Sequence, residues 1–338
     1  MVIPGTTHVK PQEMTETQPN DNNKRFNGLR LFCGSASQAL GNEIAAYLKI
    51  RPGSYTRTVF SNENIFVRLN ESVRGKDVYL VQTMASPIHD NLMEMLIMID
   101  ALKRDSAKRI NVIFPYMAYA RSDKKDQPRV PITARLVANM IEVAGADRYV
   151  TFDLHAGQIQ GFFNIPGDAL TAFHLLSEYV AKKNIDNLVV AAADLGFAKK
   201  GRNWAERLGV PLAIVEKRRR DNSGSSEALT IIGDVHDKNV LLVDDEVLTG
   251  GSVVNAVQTL RREGALDIYL SFTHALLAGS AIDKFKSLNL KEIIISNTLP
   301  IAPEKLLPNM KVLSIAPMLA EVIARAHEGR SVGELFNE

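Results

Sequence analysis

The segment Asn239–Gln258, which reads NVLLVDDEVLTGGSVVNAVQ, indicates the fold class of this chain. It begins with an apolar run, Val240–Val243, that shows no alternation of apolar and polar residues. Such a run is typical of a strand buried on both faces of a parallel sheet. Apolar residues then recur at helical spacing, and Ser252 is placed to cap that helix. The segment therefore predicts the strand, turn and helix that α/β proteins repeat.

The turn of this segment carries residues suited to a ligand. Asp244 and Asp245 follow the apolar run, and their carboxylates can accept hydrogen bonds from neighbouring hydroxyl groups. Thr249, Gly250 and Gly251 lead into the helix, where backbone N–H groups approached through glycines can bind phosphate. A phosphate beside a diol describes a sugar phosphate. The alternative is an ordinary strand–turn–helix with a glycine-rich turn.

Composition limits the class of protein. The 338 residues are enough for two domains, and 46% hydrophobic with 23% charged residues is typical of a soluble globular protein. A net charge of +2 gives no global field that would indicate a nucleic-acid partner. The single cysteine, Cys33, excludes a disulfide framework and fits a reducing cytosol. No apolar segment has the length of a membrane span or the character of a signal peptide. We therefore expect a cytoplasmic protein whose partners include neither nucleic acid nor a membrane.

The start of the chain differs from the rest. Residues 1–27 are polar and carry few large apolar side chains, so we expect a disordered tail. From Leu29 onward, strand patterns alternate with helical patterns, of which Gln38–Leu48 and Asn91–Lys103 are the clearest early examples. Between those two helices, Val59–Leu69 predicts a hairpin that turns at Ser61–Asn64.

An internal repeat indicates two domains of one plan. Two strand segments of the first half resemble two of the second: Lys76–Val81 (KDVYLV) resembles Lys238–Val243 (KNVLLV), and Ile110–Phe114 resembles Ile268–Phe272. We expect two tandem α/β domains, over residues 28–171 and 172–338, each a mainly parallel sheet flanked by helices. Gln82 and Thr83 replace the aspartate pair in the first copy, so the sugar-phosphate site is expected only in the second domain.

A basic segment follows one of the predicted strands. The stretch Phe114–Arg129 reads FPYMAYARSDKKDQPR and carries Arg121, Lys124, Lys125 and Arg129. Several cations at the carboxyl end of a strand suit a polyphosphate ligand. A charged, solvated loop is the alternative.

A second basic segment, Ile214–Ser226 (IVEKRRRDNSGSS), has four successive cations, Lys217–Arg220, in a stretch rich in Gly, Ser and Asn. It is either a solvated basic turn or a mobile loop that closes cations over transferring phosphates.

One histidine stands directly beyond a strand. His155 follows the predicted strand Tyr149–Asp153. In this position it could bind a metal or act as a base, and a structural histidine is the alternative.

The chain resembles the ribose-phosphate diphosphokinases, or PRPP synthases. The segment Asn239–Gln258 is similar to the PRPP-binding motif that this family shares with type I phosphoribosyltransferases. Three further segments resemble the PRPP synthases in particular: Asp153–Pro166 (DLHAGQIQGFFNIP), Phe114–Arg129 and Glu71–Gln82 (ESVRGKDVYLVQ). The resemblance extends from about Leu29 to the C-terminus. It implies two type I phosphoribosyltransferase-like domains and transfer of the diphosphoryl group of ATP to the 1-hydroxyl of ribose 5-phosphate.

The resemblance also implies roles for individual residues. Ribose 5-phosphate would contact Arg219, Asp244, Asp245, Leu248, Thr249, Gly250, Gly251 and Ser252. ATP would contact Phe60, Asn62, Asn64, Arg121, Ser122, Asp123, Asp126 and His155. Mg²⁺ would be held by His155 and Asp194, and Lys217 and Arg219 would be catalytic. Family members commonly assemble as hexamers built from dimers, so a homo-hexamer is expected.

The chain departs from the family pattern at some of these positions. The substituted positions are Asn62, Asn64, Ser122, Phe197 and Leu248. Asn62 and Asn64 replace two carboxylates of the ATP hairpin, which keeps open a non-catalytic associated subunit as the alternative. The presence of Lys217, His155 and Asp194 favours an active enzyme. A phosphoribosyltransferase would need only one such domain. A dinucleotide dehydrogenase would need a G-x-G-x-x-G turn after a strand, which the sequence lacks.

Overall fold

The computed structural model describes residues 25–219 and 227–333 and the backbone of Thr6–Thr7, with side chains for 25–216 and 229–333. In chain order the strands are β1 (Thr6–Thr7), β2 (Leu29–Cys33), β3 (Tyr55–Val59), β4 (Ile65–Leu69), β5 (Asp77–Val81), β6 (Arg109–Ile113), β7 (Arg148–Phe152), β8 (Gly167–Leu170), β9 (Leu188–Ala192), β10 (Leu212–Arg219), β11 (Glu227–Ile232), β12 (Asn239–Val247), β13 (Ile268–Ala275), β14 (Glu292–Ser296) and β15 (Met310–Leu313).

The helices follow the strands in regular alternation. They are α1 (Gln38–Leu48), α2 (Ile88–Arg104), α3 (Thr133–Ala144), α4 (Phe173–Ala181), α5 (Ala198–Leu208), α6 (Gly251–Arg262), α7 (Ala281–Ser287) and α8 (Ala316–His327). Short 3₁₀ helices lie at Ser35–Ser37, Gly157–Phe162 and Pro303–Lys305. None of the helices in the described part of the chain is long and apolar enough to cross a membrane.

The first unit is built on a five-stranded sheet in the order β2-β5-β6-β7-β8. All four pairings are parallel. Every residue of β5 is buried, as expected for an apolar strand covered on both faces. A separate antiparallel sheet is formed by β1, β3 and β4, in which β3 and β4 make the predicted hairpin.

The second unit repeats this order on a larger sheet. Its strands run β11-β10-β9-β12-β13-β14-β15, and the part from β9 to β15 is parallel throughout. Strand β10 extends the sheet parallel to β9, and β11 pairs antiparallel with β10. The α/β prediction of two parallel sheets flanked by helices is confirmed, and the internal repeat corresponds to the shared strand order.

The two units divide between Thr171 and Ala172, but the chain from Ile315 onward belongs to the first unit. The prediction that the second domain extends over residues 172–338 is therefore wrong at its C-terminal boundary, because the second unit ends at Ser314. Helix α8 packs against α1, and Arg109 donates a hydrogen bond to the carbonyl oxygen of Ala326 at 3.2 Å. The apolar face of α8 is buried in this way.

A buried ion pair accompanies the return of α8. Arg109 donates two hydrogen bonds to Asp77, at 2.7 and 2.6 Å, and His327 Nδ1 lies 2.8 Å from the same carboxylate. Burial acts to raise the pKa of Asp77, but the hydrogen bonds from Arg109 and His327 outweigh it and the pKa is lowered. The aspartate is thereby kept ionised beside Arg109.

The expected disordered tail ends earlier than residue 27. Phe26 is buried with its ring centroid 6.4 Å from that of His327, and Arg25 forms an ion pair with Glu328. Thr6 and Thr7 pair with Thr58 and Arg57 of β3. The buried ring of Phe26 holds residues 25–27 in place. The prediction missed this because it rested on the polar composition of residues 1–27 as a whole. The rest of the predicted tail lies outside the described residues.

The basic segment Ile214–Ser226 is not a loop throughout. Its backbone continues β10 as far as Arg219 and pairs with β11, with Lys217 opposite Leu229 and Arg219 opposite Glu227. Antiparallel pairing with β11 satisfies the backbone polar groups that a loop prediction would leave to water. Residues 220–226 lie outside the described residues.

Candidate active site

The aspartate pair lies near the carboxyl end of β12, the central strand of the seven-stranded sheet. Loss of hydration and the negative charge of Asp245, to which Asp194 adds, raise the pKa of Asp244 well above its usual value. The backbone N–H of Asp245 donates to Asp244 Oδ1 at 2.9 Å and offsets part of this repulsion. Because the three carboxylates repel one another, this arrangement favours protonation of Asp244 or the binding of a cation beside it.

The turn that carries Asp194 is fixed by its own side chain. Asp194 Oδ1 accepts the backbone N–H of Phe197 at 2.8 Å, while Phe197 is buried and Asp194 is exposed. Two residues of β9 and this turn, Ala192 and Ala193, are small and buried, which brings the turn onto the sheet. The predicted metal ligand is therefore presented at the carboxyl edge of the second unit.

Lys200 is a site residue that the sequence analysis missed. Its Nζ lies 3.9 Å from Asp245 Oδ2 and 5.4 Å from the centroid of the Phe197 ring. The available signal was its place in the first turn of α5, the helix that follows β9. Its ammonium partly compensates the negative charge around Asp245.

The predicted phosphate turn connects β12 to the start of α6. Gly250 is the residue before the helix and has φ +70°, a left-handed conformation that glycine adopts without steric cost. A Cβ at this position would come 3.1 Å from Phe285 Cε1. The glycine is required by both conformation and space.

Ser252 does not cap α6 as predicted. The residue before the helix is Gly250, and Ser252 lies in the first helical turn with an exposed side chain. Thr249 is also exposed, and its carbonyl oxygen accepts a hydrogen bond from Lys284 Nζ at 2.8 Å. Leu248 is exposed, and its carbonyl oxygen accepts the N–H of Ala278 at 2.8 Å. The start of this helix is consequently open to an anion through its backbone N–H groups.

The β3–β4 hairpin brings three predicted ATP residues together at one exposed tip. The N–H of Phe60 donates to the carbonyl oxygen of Asn64 at 2.9 Å, and Asn62 Oδ1 accepts the N–H of Asn64 at 3.3 Å. Glu63 closes the turn with φ +67°, which is uncommon for a residue with a Cβ. The Phe60 ring is exposed, with its centroid 6.1 Å from that of Phe66.

The basic segment of the first unit separates into exposed and buried parts. Arg121 and Asp126 are exposed. Asp123 is buried and accepts a hydrogen bond from Gln158 Nε2 at 2.7 Å. Ser122 Oγ accepts the N–H of Thr133 at 3.3 Å and so supports the start of α3. In this structure Asp123 and Ser122 hold the segment in shape, whereas Arg121 is presented at the surface.

The remaining candidates can be placed only by element. His155 is exposed after β7 in the first unit, and Asp194 belongs to the second unit. Lys217 and Arg219 lie on the described backbone of β10, and their side chains are outside the described residues. Within 25–216 and 229–333, no three His, Cys, Asp or Glu side chains are grouped so as to hold a metal ion.

Two family profiles match the chain. One, described as the N-terminal domain of ribose phosphate pyrophosphokinase, matches residues 29–145. The other, described as the phosphoribosyl synthetase-associated domain, matches residues 223–337. Together the two profiles match residues in both units of the structure.

Relatives match over nearly the whole chain. The ribose-phosphate pyrophosphokinase of Wolinella succinogenes is 47% identical over 309 residues, covering 91% of this chain and 99% of the relative. That of Caldanaerobacter subterraneus is 46% identical over 311 residues, covering 92% and 98%. Among solved structures, the phosphoribosylpyrophosphate synthetase of Mycobacterium smegmatis superposes with a TM-score of 0.85 at 43% identity, covering 89% of this chain and 99% of that one.

Proposed function

This chain belongs to the ribose-phosphate pyrophosphokinase family, and we propose that it transfers the diphosphoryl group of ATP to the 1-hydroxyl of ribose 5-phosphate. The products are 5-phosphoribosyl 1-diphosphate and AMP. The observation that carries this proposal is the pairing of Asp244 and Asp245 with the open start of α6 within one strand–turn–helix segment. Carboxylates that accept from a diol, next to N–H groups that bind a phosphate, suit a phosphorylated pentose.

Ribose 5-phosphate is bound at the carboxyl edge of the second unit. Its phosphate takes the backbone N–H groups at the start of α6, with the hydroxyls of Thr249 and Ser252 alongside. Its ribose hydroxyls donate to Asp244 and Asp245. Leu248 forms part of the turn through its backbone. Arg219 supplies a further cation. The mutual repulsion of the carboxylates is relieved when hydroxyl donors or a cation approach them.

ATP is bound by the first unit. Phe60 offers an exposed ring for the base, and Asn62 and Asn64 can each donate and accept hydrogen bonds at the same tip. The exposed Arg121 and Asp126 contact the nucleotide, with Ser122 and Asp123 holding their segment in place. The exposed His155 completes this set.

We propose Mg²⁺ as the cofactor, held by His155 and Asp194. Mg²⁺ in nucleotide sites keeps several waters and takes phosphate oxygens, so one or two protein ligands suffice. Asp194 has an exposed carboxylate, and one of its oxygens already accepts a backbone N–H. The other oxygen is enough for a metal that needs so few protein ligands. Mg²⁺ held there would supply positive charge to the polyphosphate.

The reaction is a displacement at the β-phosphorus of ATP. The 1-hydroxyl oxygen of ribose 5-phosphate forms a bond to the β-phosphorus, the bond from that phosphorus to the α–β bridging oxygen breaks, and AMP leaves with that oxygen. The proton of the hydroxyl is released. The chain contributes placement of the two substrates and positive charge from Lys217 and Arg219 on β10, because phosphoryl transfer depends mainly on positioning and charge stabilisation.

The test measures nucleoside monophosphate release by purified protein with Mg²⁺ and ribose 5-phosphate, in parallel with ATP, GTP and CTP. We expect AMP from ATP only when ribose 5-phosphate is present. Release from another nucleotide would keep the reaction and assign base choice to Asn62 and Asn64. Folded protein that releases none in phosphate buffer would favour a non-catalytic associated subunit.

We also propose that the protein is cytoplasmic and works as a homo-hexamer built from dimers. Native mass spectrometry at micromolar concentration tests the assembly. A species of six chains supports it, and a stable monomer contradicts it.

A further inference from the structure

Glu94 is a fully buried carboxylate on α2 with four donors around it. Its Oε1 accepts the backbone N–H of Ser35 at 2.9 Å and the hydroxyl of Tyr55 at 3.2 Å. Its Oε2 accepts Arg57 Nε at 2.9 Å and the Ser35 hydroxyl. Both oxygens are therefore fully used, which is the condition under which a buried charge is tolerated.

These donors come from different parts of the first unit. Ser35 begins the 3₁₀ helix that follows β2, whereas Tyr55 and Arg57 lie on β3. The same Tyr55 hydroxyl lies 3.1 Å from the carbonyl oxygen of Cys33, the last residue of β2, so its one proton is shared between that oxygen and Glu94. Glu94 therefore ties α2, the end of β2 and the first strand of the hairpin to one point.

Because the hairpin is not part of the main sheet, it is held to the unit by this attachment and by the packing of β4 on α2. Strand β3 pairs with β4 and β1, while β2 and β5 to β8 form a separate sheet. The tip from Phe60 to Asn64 is exposed and begins three positions after Arg57. A small displacement of Arg57 would move the tip by a comparable distance, since β3 runs directly into it.

The charge of Glu94 acts on its partners. Burial and the negative charge of Glu94 raise the pKa of Tyr55 far above its usual value, so its hydroxyl remains a donor at any physiological pH. The side chain of Arg57 is only 20% exposed, so water competes weakly for its contact with Glu94. The attachment is therefore stronger than an ion pair on an open surface.

We infer that Glu94 is a positioning residue that holds the β3–β4 hairpin in the orientation needed to bind the nucleotide. This inference rests on the proposed function, because it takes the hairpin tip as the nucleotide site. Glu94 itself is buried beneath the hairpin and acts through Arg57 and Tyr55.

Glu94→Gln tests the inference. A glutamine offers one accepting oxygen and an NH₂ group that donates, so donors that now meet an oxygen would lose their acceptor. We expect the KM for ATP to rise about tenfold, since misplacing a binding element by a fraction of an ångström weakens ground-state contacts. The kcat and the KM for ribose 5-phosphate should stay within about twofold. Amide exchange of Tyr55–Leu69 should accelerate.

Asp77→Asn is the matched control. It also removes a buried carboxylate that is paired with an arginine in the first unit, but Asp77 lies at the amino end of β5 and contacts Arg109 and His327. We expect it to lower stability and leave the KM for ATP unchanged. Equal changes in the two variants, or an equal rise in both KM values of Glu94→Gln, would show a general structural role and overturn the inference.

A second variant covers the case in which Glu94→Gln does not fold. Arg57→Lys keeps the charge but loses the planar Nε–H donor, and we expect the KM for ATP to rise about threefold. An unchanged KM for ATP in a folded Arg57→Lys protein would overturn the inference.

Calorimetric ATP binding and hairpin amide exchange separate this inference from the proposed reaction. If the unaltered protein releases no AMP, the proposed function fails. Weaker ATP binding together with faster hairpin exchange in the variants would still support the role of Glu94, and unchanged values for both would reject it.

Discussion

The two units share a strand order, but the residues at equivalent strand ends differ: they are buried and hydrogen-bonded in the first unit and are carboxylates in the second. Gln82 directly follows the buried run of β5, and Asp244 follows the matching run of β12. Gln82 is fully buried, its Oε1 accepts the N–H of Ala36 at 3.1 Å, and its amide donates to the carbonyl oxygen of Asn91 at 3.3 Å. Asp244 instead lies among other carboxylates that raise its pKa.

The turn after the first strand of each sheet shows the same contrast. Ser35 stands two residues beyond β2, and Asp194 stands two residues beyond β9. Ser35 donates to the internal carboxylate of Glu94. Asp194 is exposed and adds negative charge to the Asp244 site. At the ends of β2 and β5 the first unit has thus filled its carboxyl edge with side chains that bond to one another, whereas at the ends of β9 and β12 the second unit carries the carboxylates of the proposed sugar-phosphate site. A shared topology therefore specifies where a site can form, while the residues at the strand ends decide whether it does.

The hairpins also differ between the units. In each unit an antiparallel pair follows the helix that comes after the first strand of the main sheet, but β3 and β4 stand apart from that sheet, whereas β10 and β11 extend it. The first presents an exposed tip, and the second carries the predicted catalytic cations.

Lys217→Ala gives the largest expected effect and tests the role of the second hairpin. We expect kcat to fall by at least ~10², the scale of losing one positioned charge donor. Steady-state AMP release measures this, and Arg218→Ala, the neighbouring cation on β10, is the control that should lose much less. A near-normal kcat for Lys217→Ala would remove Lys217 from the catalytic role.

Gln82→Asp makes the first unit resemble the second at the strand end. The carboxylate would be fully buried and could not replace the amide donor to Asn91. We expect a loss of about 3 kcal/mol in the free energy of unfolding, the scale of a buried unpaired charge. Urea unfolding measures it, with Gln82→Asn as the control for size. A loss below about 1 kcal/mol would mean that the side chain at position 82 is not buried and hydrogen-bonded as described.

Asp244→Asn is the reciprocal change and should raise stability while it lowers activity. Because the folded-state pKa of Asp244 is raised, its ionisation opposes folding as pH rises above the unfolded value of about 4. We expect the variant to match the unaltered protein near pH 4 and to gain about 1 kcal/mol at neutral pH. Thermal unfolding from pH 4 to 8 checks the sign, and a difference that shrinks as pH rises would contradict it.

Glu63→Gly has the smallest expected effect and concerns the tip of the first hairpin. Glu63 adopts φ +67°, which costs a residue with a Cβ about 1 kcal/mol, whereas glycine adopts it freely. The greater freedom of glycine in the unfolded chain offsets part of the gain, so we expect about 0.5 kcal/mol of added stability. Glu63→Ala retains the Cβ and should give no gain. Equal stabilities for the two variants would show that the turn carries no such strain.

Much of the fold follows from local sequence. Gln38–Leu48 was predicted as a helix with the bounds that α1 has, and Val240–Val243 was predicted as a buried strand and lies within β12, because an uninterrupted apolar run can be accommodated only inside a sheet covered on both faces. The repeat of KDVYLV as KNVLLV predicted the shared strand order. The aspartate pair and the glycine turn were identified because their residue types match the chemistry of a phosphorylated sugar. The sequence by itself therefore determined the fold class and the repeated plan, and it supplied the residues of the proposed sugar-phosphate site.

The tertiary structure decided what depends on contacts between distant segments. The return of α8 to the first unit, the approach of Lys200 to Asp245 and the burial of Asp123 each depend on side chains that lie far apart along the chain. Glu94 appeared in sequence as a polar position on an apolar helix, and its role became visible only with its four donors. Such contacts are set by packing and by the cost of leaving a buried polar group without a partner, and neither quantity has a local signature in sequence.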